Sequence, residues 1–219
     1  MYITSDTSPR AYAHTGASGT FRQSAQDFIV NERLPFEPDG AGEHLLVQVR
    51  KTDQNTDWIA KWMARCAGVE RREVGYCGLK DRHAVATQWF SVPATRGEPD
   101  LSEPPEGTEL LQSVRHGRKL RPGSHAANHF VLVLRDIEAP SLLQAQLEQV
   151  AAGGCPNGFG LQRFGREGGN LLAALEWFGG GKKPKRHQKS HYLSAARSAI
   201  FNADDYEQTI AKMREKMIR

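Results

Sequence analysis

The densest local chemistry in this chain is Gly75-Tyr76-Cys77-Gly78-Leu79-Lys80-Asp81-Arg82-His83, which leads into Ala84-Val85-Ala86-Thr87-Gln88-Trp89-Phe90. Glycines at 75 and 78 permit backbone geometries and close approaches that side chains would block. They deliver Lys80, Asp81, Arg82 and His83 at the mouth of an apolar strand. A carboxylate flanked by three potential cations is expected to stay ionised, and so to serve as a nucleophile or a base. On physics alone, a charged turn between two strands explains the same residues more plainly. Asp81 and His83 as metal ligands is a poorer option, because no further ligands fall at a recognisable spacing.

A second unusual segment runs Gly154-Cys155-Pro156-Asn157-Gly158-Phe159-Gly160-Leu161-Gln162-Arg163-Phe164-Gly165-Arg166. Such glycine-spaced loops bring backbone N–H groups, guanidinium groups and aromatic faces close to a nucleotide. An irregular strand packing Phe159 and Phe164 is the structural alternative. No GxxxxGK[ST] run occurs, so an ATP-type phosphate loop is not supported, and GxGxxG is absent from this segment.

Two cationic blocks carry no acidic residue: Arg115, His116, Arg118, Lys119 and Arg121, then Lys182, Lys183, Lys185, Arg186 and Lys189. Segregated cations favour polyanions, since each phosphate contact releases condensed counterions. A solvated loop accounts equally well for either block alone.

The elements that must position these residues alternate between short strands and amphipathic helices. Phe28 to Val30 and Leu45 to Val49 read as strands, joined by the Pro-, Gly- and Asp-rich loop 35–42. Asn55-Thr56 offers a helix N-cap, and Trp58, Ile59, Trp62, Met63 and Cys66 recur at helical spacing before Gly68. Strand-like Val74 to Cys77 and Gln88 to Val92 follow, then an exposed connection from Pro93 to Gly107. Leu110 to Val114 and Phe130 to Leu134 are further strands. Pro140-Ser141 opens a helix through Val150, stopped at Gly153-Gly154. Another helix spans about Asn170 to Phe178, and a last one begins near Leu193. Most strand connections are too short for helical crossovers, so the chain is expected to be α+β with a largely antiparallel or mixed sheet flanked by helices.

Composition sets outer bounds. With 219 residues, 39% hydrophobic and 25% charged, the chain can enclose a core and belongs to neither the disordered nor the membrane class. No apolar run approaches the roughly 20 residues that cross a bilayer, and Met1 to Thr20 lacks a secretory apolar stretch. Cys66, Cys77 and Cys155 form no CxxC pair, which argues against a disulfide framework or zinc ribbon. A reduced, cytoplasmic protein is the expectation.

Taken together, the two glycine-rich segments resemble the signature motifs of the TruD family of tRNA pseudouridine synthases. Asp27-Phe28-Ile29-Val30-Asn31-Glu32, the loop from Pro35 to His44, Asn55-Thr56, Asn128-His129-Phe130 and Tyr192 to Asn202 agree in order. The similarity covers about residues 10–205. It implies a pseudouridine synthase-like catalytic domain over residues 1–205, incomplete, and a helical tail over 206–219 without the family's insertion domain. It implies Asp81 as the catalytic aspartate, with no cofactor and no metal. Arg22 stands where the family usually has a lysine, six residues before Phe28. Asn128 and Phe130 match an NxF element whose ring is expected to stack on the target uracil. Phe28, Lys80, Asn157, Gln162 and Arg163 complete the implied substrate-binding set. Gly158 replaces the aromatic residue common after Pro-Asn.

The implied reaction isomerises a tRNA uridine, position 13 of the D-arm region, to pseudouridine. Asp81 would deprotonate ribose C2′, or attack the sugar or the uracil ring; the sequence leaves these open. Arg115, Arg118, Lys119, Arg163, Arg166 and the block 182–189 are candidate phosphate contacts. Family members are usually longer, so weak or no activity as an isolated monomer is expected, with self-association through unpaired sheet edges. A non-catalytic RNA-binding fragment and a small-molecule hydrolase built on Asp81 and His83 are the alternative readings.

Overall fold

The protein is described by a computed structural model covering residues 11–13, 16–95, 97–155 and 158–203. Asn157 and the tail 206–219 therefore lie outside the described residues. The chain divides into two compact units, one formed by Ser18–Glu138 and the other by Ala139–Arg219 with the residues before Ser18.

Within Ser18–Glu138 the strands are β1 (Ser18–Phe21), β2 (Phe28–Arg33), β3 (His44–Thr52), β4 (Gly75–Tyr76), β5 (Val85–Pro93), β6 (Thr108–His116), β7 (Ala127–Leu132) and β8 (Leu134–Glu138). Helix α1 (Thr56–Cys66) falls between β3 and β4. One sheet has the order β6-β3-β5-β2-β7, with β4 paired to β5, and β1 pairs separately with β8. Every pairing in the larger sheet is antiparallel except β2 with β5. The parallel pair is reached by the long path through β3 and α1, as a crossover requires.

Alternation explains which way β3 faces. Leu45, Val47 and Val49 are buried beneath Ile59, Ala60, Trp62 and Met63 of α1, together with Phe90 and Val92 of β5. These helix positions recur at the spacing of one helical face. Fully burying a side chain such as Ile59 or Met63 contributes about 1.5–3 kcal/mol. On the other side of the sheet a smaller cluster joins Leu46, Cys77, Trp89 and Leu120 with Leu34 and Phe36. A short 3₁₀ turn, Ala25–Asp27, leads into β2. The Arg135 guanidinium grips the buried Asp27 carboxylate there, with Nη2 2.7 Å from Oδ1, and draws its pKa down to about 2.

The other unit is helical, with α2 (Pro140–Gly153), α3 (Gly169–Phe178) and α4 (Arg186–Phe201). Helix α4 starts at Arg186, earlier than the apolar pattern from Leu193 suggests, so half of the basic block 182–189 is helical. Its start is fixed by polar bonding, with Gln188 Oε1 accepting from Lys185 N at 3.1 Å. Phe164, Ala174 and Ala195 are buried in this unit. No helix among the described residues is long and apolar enough to cross a membrane.

Candidate active site

Residues 77–84 link β4 to β5 and are held from several directions. Lys80 N donates to Thr56 Oγ1 at 3.1 Å, and the Thr56 hydroxyl donates to Gln88 Oε1 at 2.8 Å. Gln88 Nε2 in turn donates to the Gly78 carbonyl at 3.4 Å, closing a ring of bonds between the loop, the start of α1 and β5. The Lys80 ammonium turns inward and pairs with Glu32 of β2. Glu32 also accepts the Trp89 backbone N–H at 3.0 Å. Lys80 is thus an anchor of the loop in this conformation rather than a group open to a ligand.

Beneath Asp81 lies Lys51, fully buried at the end of the inward row of β3. Its Nζ donates to the carbonyls of Asp81 and Gln54, each at 2.7 Å. Burial pushes the Lys51 pKa down to about 8; the Asp81 and Asp53 carboxylates oppose the shift and the Lys80 charge adds to it. Asp53 holds the far end of the loop. Its carboxylate lies 2.8 Å from His83 Nδ1, and its carbonyl accepts from Arg82 Nε at 3.1 Å. Gln54 and Asp53 follow directly on β3, so one strand end supports the whole turn.

This scaffold leaves the Asp81 side chain 44% exposed, with Oδ1 3.8 Å from Arg22 Nη2. Arg22 sits just after β1 with a left-handed φ of 60°. It donates to the His83 carbonyl at 3.0 Å, and its guanidinium carbon stands 4.2 Å from the Phe28 ring centroid. That distance permits a cation–π contact. The Phe28 ring meets Phe21 at 5.9 Å and Phe130 at 5.8 Å. In the β2–β7 ladder Phe130 lies opposite Val30 and Asn128 opposite Glu32, so alternation puts Phe28, Phe130 and Asn128 on one face. Phe130 is 52% exposed. The Asn128 Oδ1 is buried and accepts no hydrogen bond from any described residue.

Asp81, Arg22, Phe28 and Phe130 therefore form a continuous row of carboxylate, cation and aromatic rings. The half-exposed carboxylate stands at one end of this row and the exposed Phe130 ring at the other, groups of the kinds that act on a sugar and hold a base. Among the described residues no group of three or more His, Cys, Asp and Glu side chains gathers as a metal site.

The second glycine-rich segment belongs to the helical unit. Leu161–Phe164 forms a 3₁₀ turn, not a strand. Arg163 stacks over Phe159 at 4.7 Å and donates to Ser194 Oγ at 3.0 Å. Asn202 clamps this turn through both bonds to the Phe159 backbone, at 2.9 and 2.8 Å. Gln162, Arg163, Asn170, His191 and Ser194 line a cavity of about 510 Å³.

Residues 6–218 match the model of the family tRNA pseudouridine synthase D (TruD). The chain belongs to the TruD family. Curated tRNA pseudouridine synthases D from Aeromonas hydrophila and Aeromonas salmonicida are each 48% identical over 197 residues, covering 88% of this chain and 56% of theirs. A crystal structure assigned to tRNA pseudouridine synthase D of Methanosarcina mazei aligns with a TM-score of 0.63 at 25% identity, over 94% of this chain and 50% of that one. The chain thus spans about half the length of the relatives it matches.

Within this TruD chain the sequence pattern gave no role at the Asp81 turn to Lys51, Thr56 and Asp53, which hold it. For Lys51 a signal existed: it continues the inward alternation Leu45, Val47, Val49, where an apolar residue is the norm. Thr56 read as a helix start and as one of the pieces that agree with the family, without a role at this turn. Asp53 lies 28 positions before Asp81, and only the β3–β5 pairing brings them together.

Proposed function

We propose that this chain isomerises a uridine of tRNA, position 13 in the D-arm region, to pseudouridine, with Asp81 as the catalytic carboxylate. The observation that carries this reading is the Asp81 carboxylate, half exposed beside Arg22 at the end of the Phe28–Phe130 platform.

The reaction breaks the bond from N1 to C1′ and forms one from C5 to C1′. The hydrogen on C5 leaves and N1 gains one, so atoms balance without an external reactant. Asp81 starts the exchange at the sugar, as base toward C2′ or nucleophile toward C1′. Arg22 fixes the carboxylate through its charge and, by donating to the His83 carbonyl, fixes the turn that carries it. Phe130 holds the detached uracil by stacking while it rotates. Asn128 shares the face of Phe130, with its amide carbonyl buried beside that ring. Lifting the uridine from its stack costs about a few kcal/mol, offset by phosphate contacts on the cationic surface.

Incubating unmodified tRNA with the chain in excess, and mapping pseudouridine by carbodiimide adducts, tests this reading. A single modified site in the D-arm is expected. Bound but unmodified tRNA would instead establish a purely RNA-binding protein.

A further inference from the structure

A cavity of about 780 Å³ lies between the loop after β2 and the turn after β6, lined by Phe36, Asp39, His116, Leu120 and Ser124 with Arg118, Lys119 and Arg121 around it. None of these residues belongs to the Asp81 row.

Its walls are fixed in place. Gly42 packs so closely that a Cβ would collide with the backbone of His116 and Gly117, and a Cβ on Gly75 would collide with the Leu120 carbonyl. Leu120 N donates to Ser91 Oγ at 2.9 Å, and Gly123 N to the Cys77 carbonyl at 2.6 Å. The one acid among the described lining residues is occupied: Asp39 accepts from Gly117 N at 3.0 Å and lies 2.8 Å from His116 Nδ1. The Phe36 ring stacks on the His116 imidazole at 4.7 Å and 8°. Within the same cationic block, Arg115 is held by Glu98 and two carbonyls, and Lys119 by the Arg72 carbonyl. The side chains of Arg118 and Arg121 have no partner among the described residues, and both are exposed.

A preformed recess with two unpaired guanidiniums, one bound acid and an aromatic wall suits a phosphate and the base attached to it. We propose that this cavity seats one nucleotide of the bound RNA, its phosphate between Arg118 and Arg121 and its base against Phe36. The inference deepens the tRNA reading and rests on it. Cys77, which touches the cavity wall through Ser124 at 3.3 Å, is four residues from Asp81. Such a stretch of chain spans at most about 14 Å.

Binding of unmodified tRNA by the whole chain, measured across a salt series, tests this. Arg118→Ala with Arg121→Ala should weaken binding about tenfold near 0.1 M salt and flatten the log–log salt slope by roughly 0.7–0.9 for each phosphate that is no longer neutralised. Phe36→Leu should weaken binding roughly fivefold and leave the slope unchanged. Uridine monophosphate should shift the Ser124 amide resonance more strongly than inorganic phosphate does. Wild-type affinity and slope in the double variant overturn the RNA contact while leaving the tRNA reading intact, and saturation by inorganic phosphate in that case marks a free-anion site instead. Failure of the wild-type chain to bind tRNA overturns both.

Discussion

Lys51 shows how the energetics of a single residue bear on this site. A buried ammonium is normally costly, yet here it bonds the backbone of the residue that carries the candidate chemistry. Its folded pKa of about 8 lies below the ordinary 10.5. The folded chain therefore holds fewer Lys51 protons than the unfolded chain between these values. By linkage, this residue contributes stability that is fully present above pH 10.5 and lost as pH falls through 8. Urea denaturation should show Lys51→Met flattening the rise in stability between pH 8 and 10.5. An unchanged slope would mean that Lys51 is solvated. The neutral amine keeps two N–H donors, so the bonds to Asp81 and Gln54 survive the titration.

At the scale of elements, the Asp81 turn depends on a buried charge pair between Lys80 of the loop and Glu32 of β2. Removing one member of a buried pair leaves the other uncompensated and costs roughly 3–5 kcal/mol. Glu32→Gln should lower unfolding stability by that order in urea melts, and adding Lys80→Met should recover part of the loss. Additive losses would show that the two groups act separately. The elements themselves were mostly legible in the sequence. The strand at 45–49, the helix from Thr56 to Cys66 and the helices opened by Pro140 and closed by Phe178 all follow from periodicity and end signals. The parallel β2–β5 pairing was not, because the strand patterns carry no direction. Nor was the early start of α4, where polar and basic residues give no apolar rhythm.

For the whole molecule, the row from Asp81 to Phe130 is assembled by the sheet. β2 carries Phe28 and Glu32, β3 carries Lys51 and leads to Asp53, β5 carries Gln88, and β7 brings Asn128 and Phe130. The sequence named Asp81, Arg22, Asn128 and Phe130 through motif resemblance, since they lie up to 108 positions apart and no local pattern joins Arg22 to Phe130. What it could not convey was the inward turn of Lys80, which depends on a strand 48 residues away. β6 and β7 form the two ends of the larger sheet, and Phe130, Val131 and Leu132 of β7 stay exposed. The central claim is that chemistry at this row starts from the Asp81 carboxylate. Single-turnover pseudouridine formation by Asp81→Asn, set beside its tRNA affinity, tests that most directly. Asparagine keeps the size and loses the carboxylate, so affinity within about twofold of wild type and a rate lower by about 10⁴ or more are predicted. Product formed by Asp81→Asn at the wild-type rate would contradict the account.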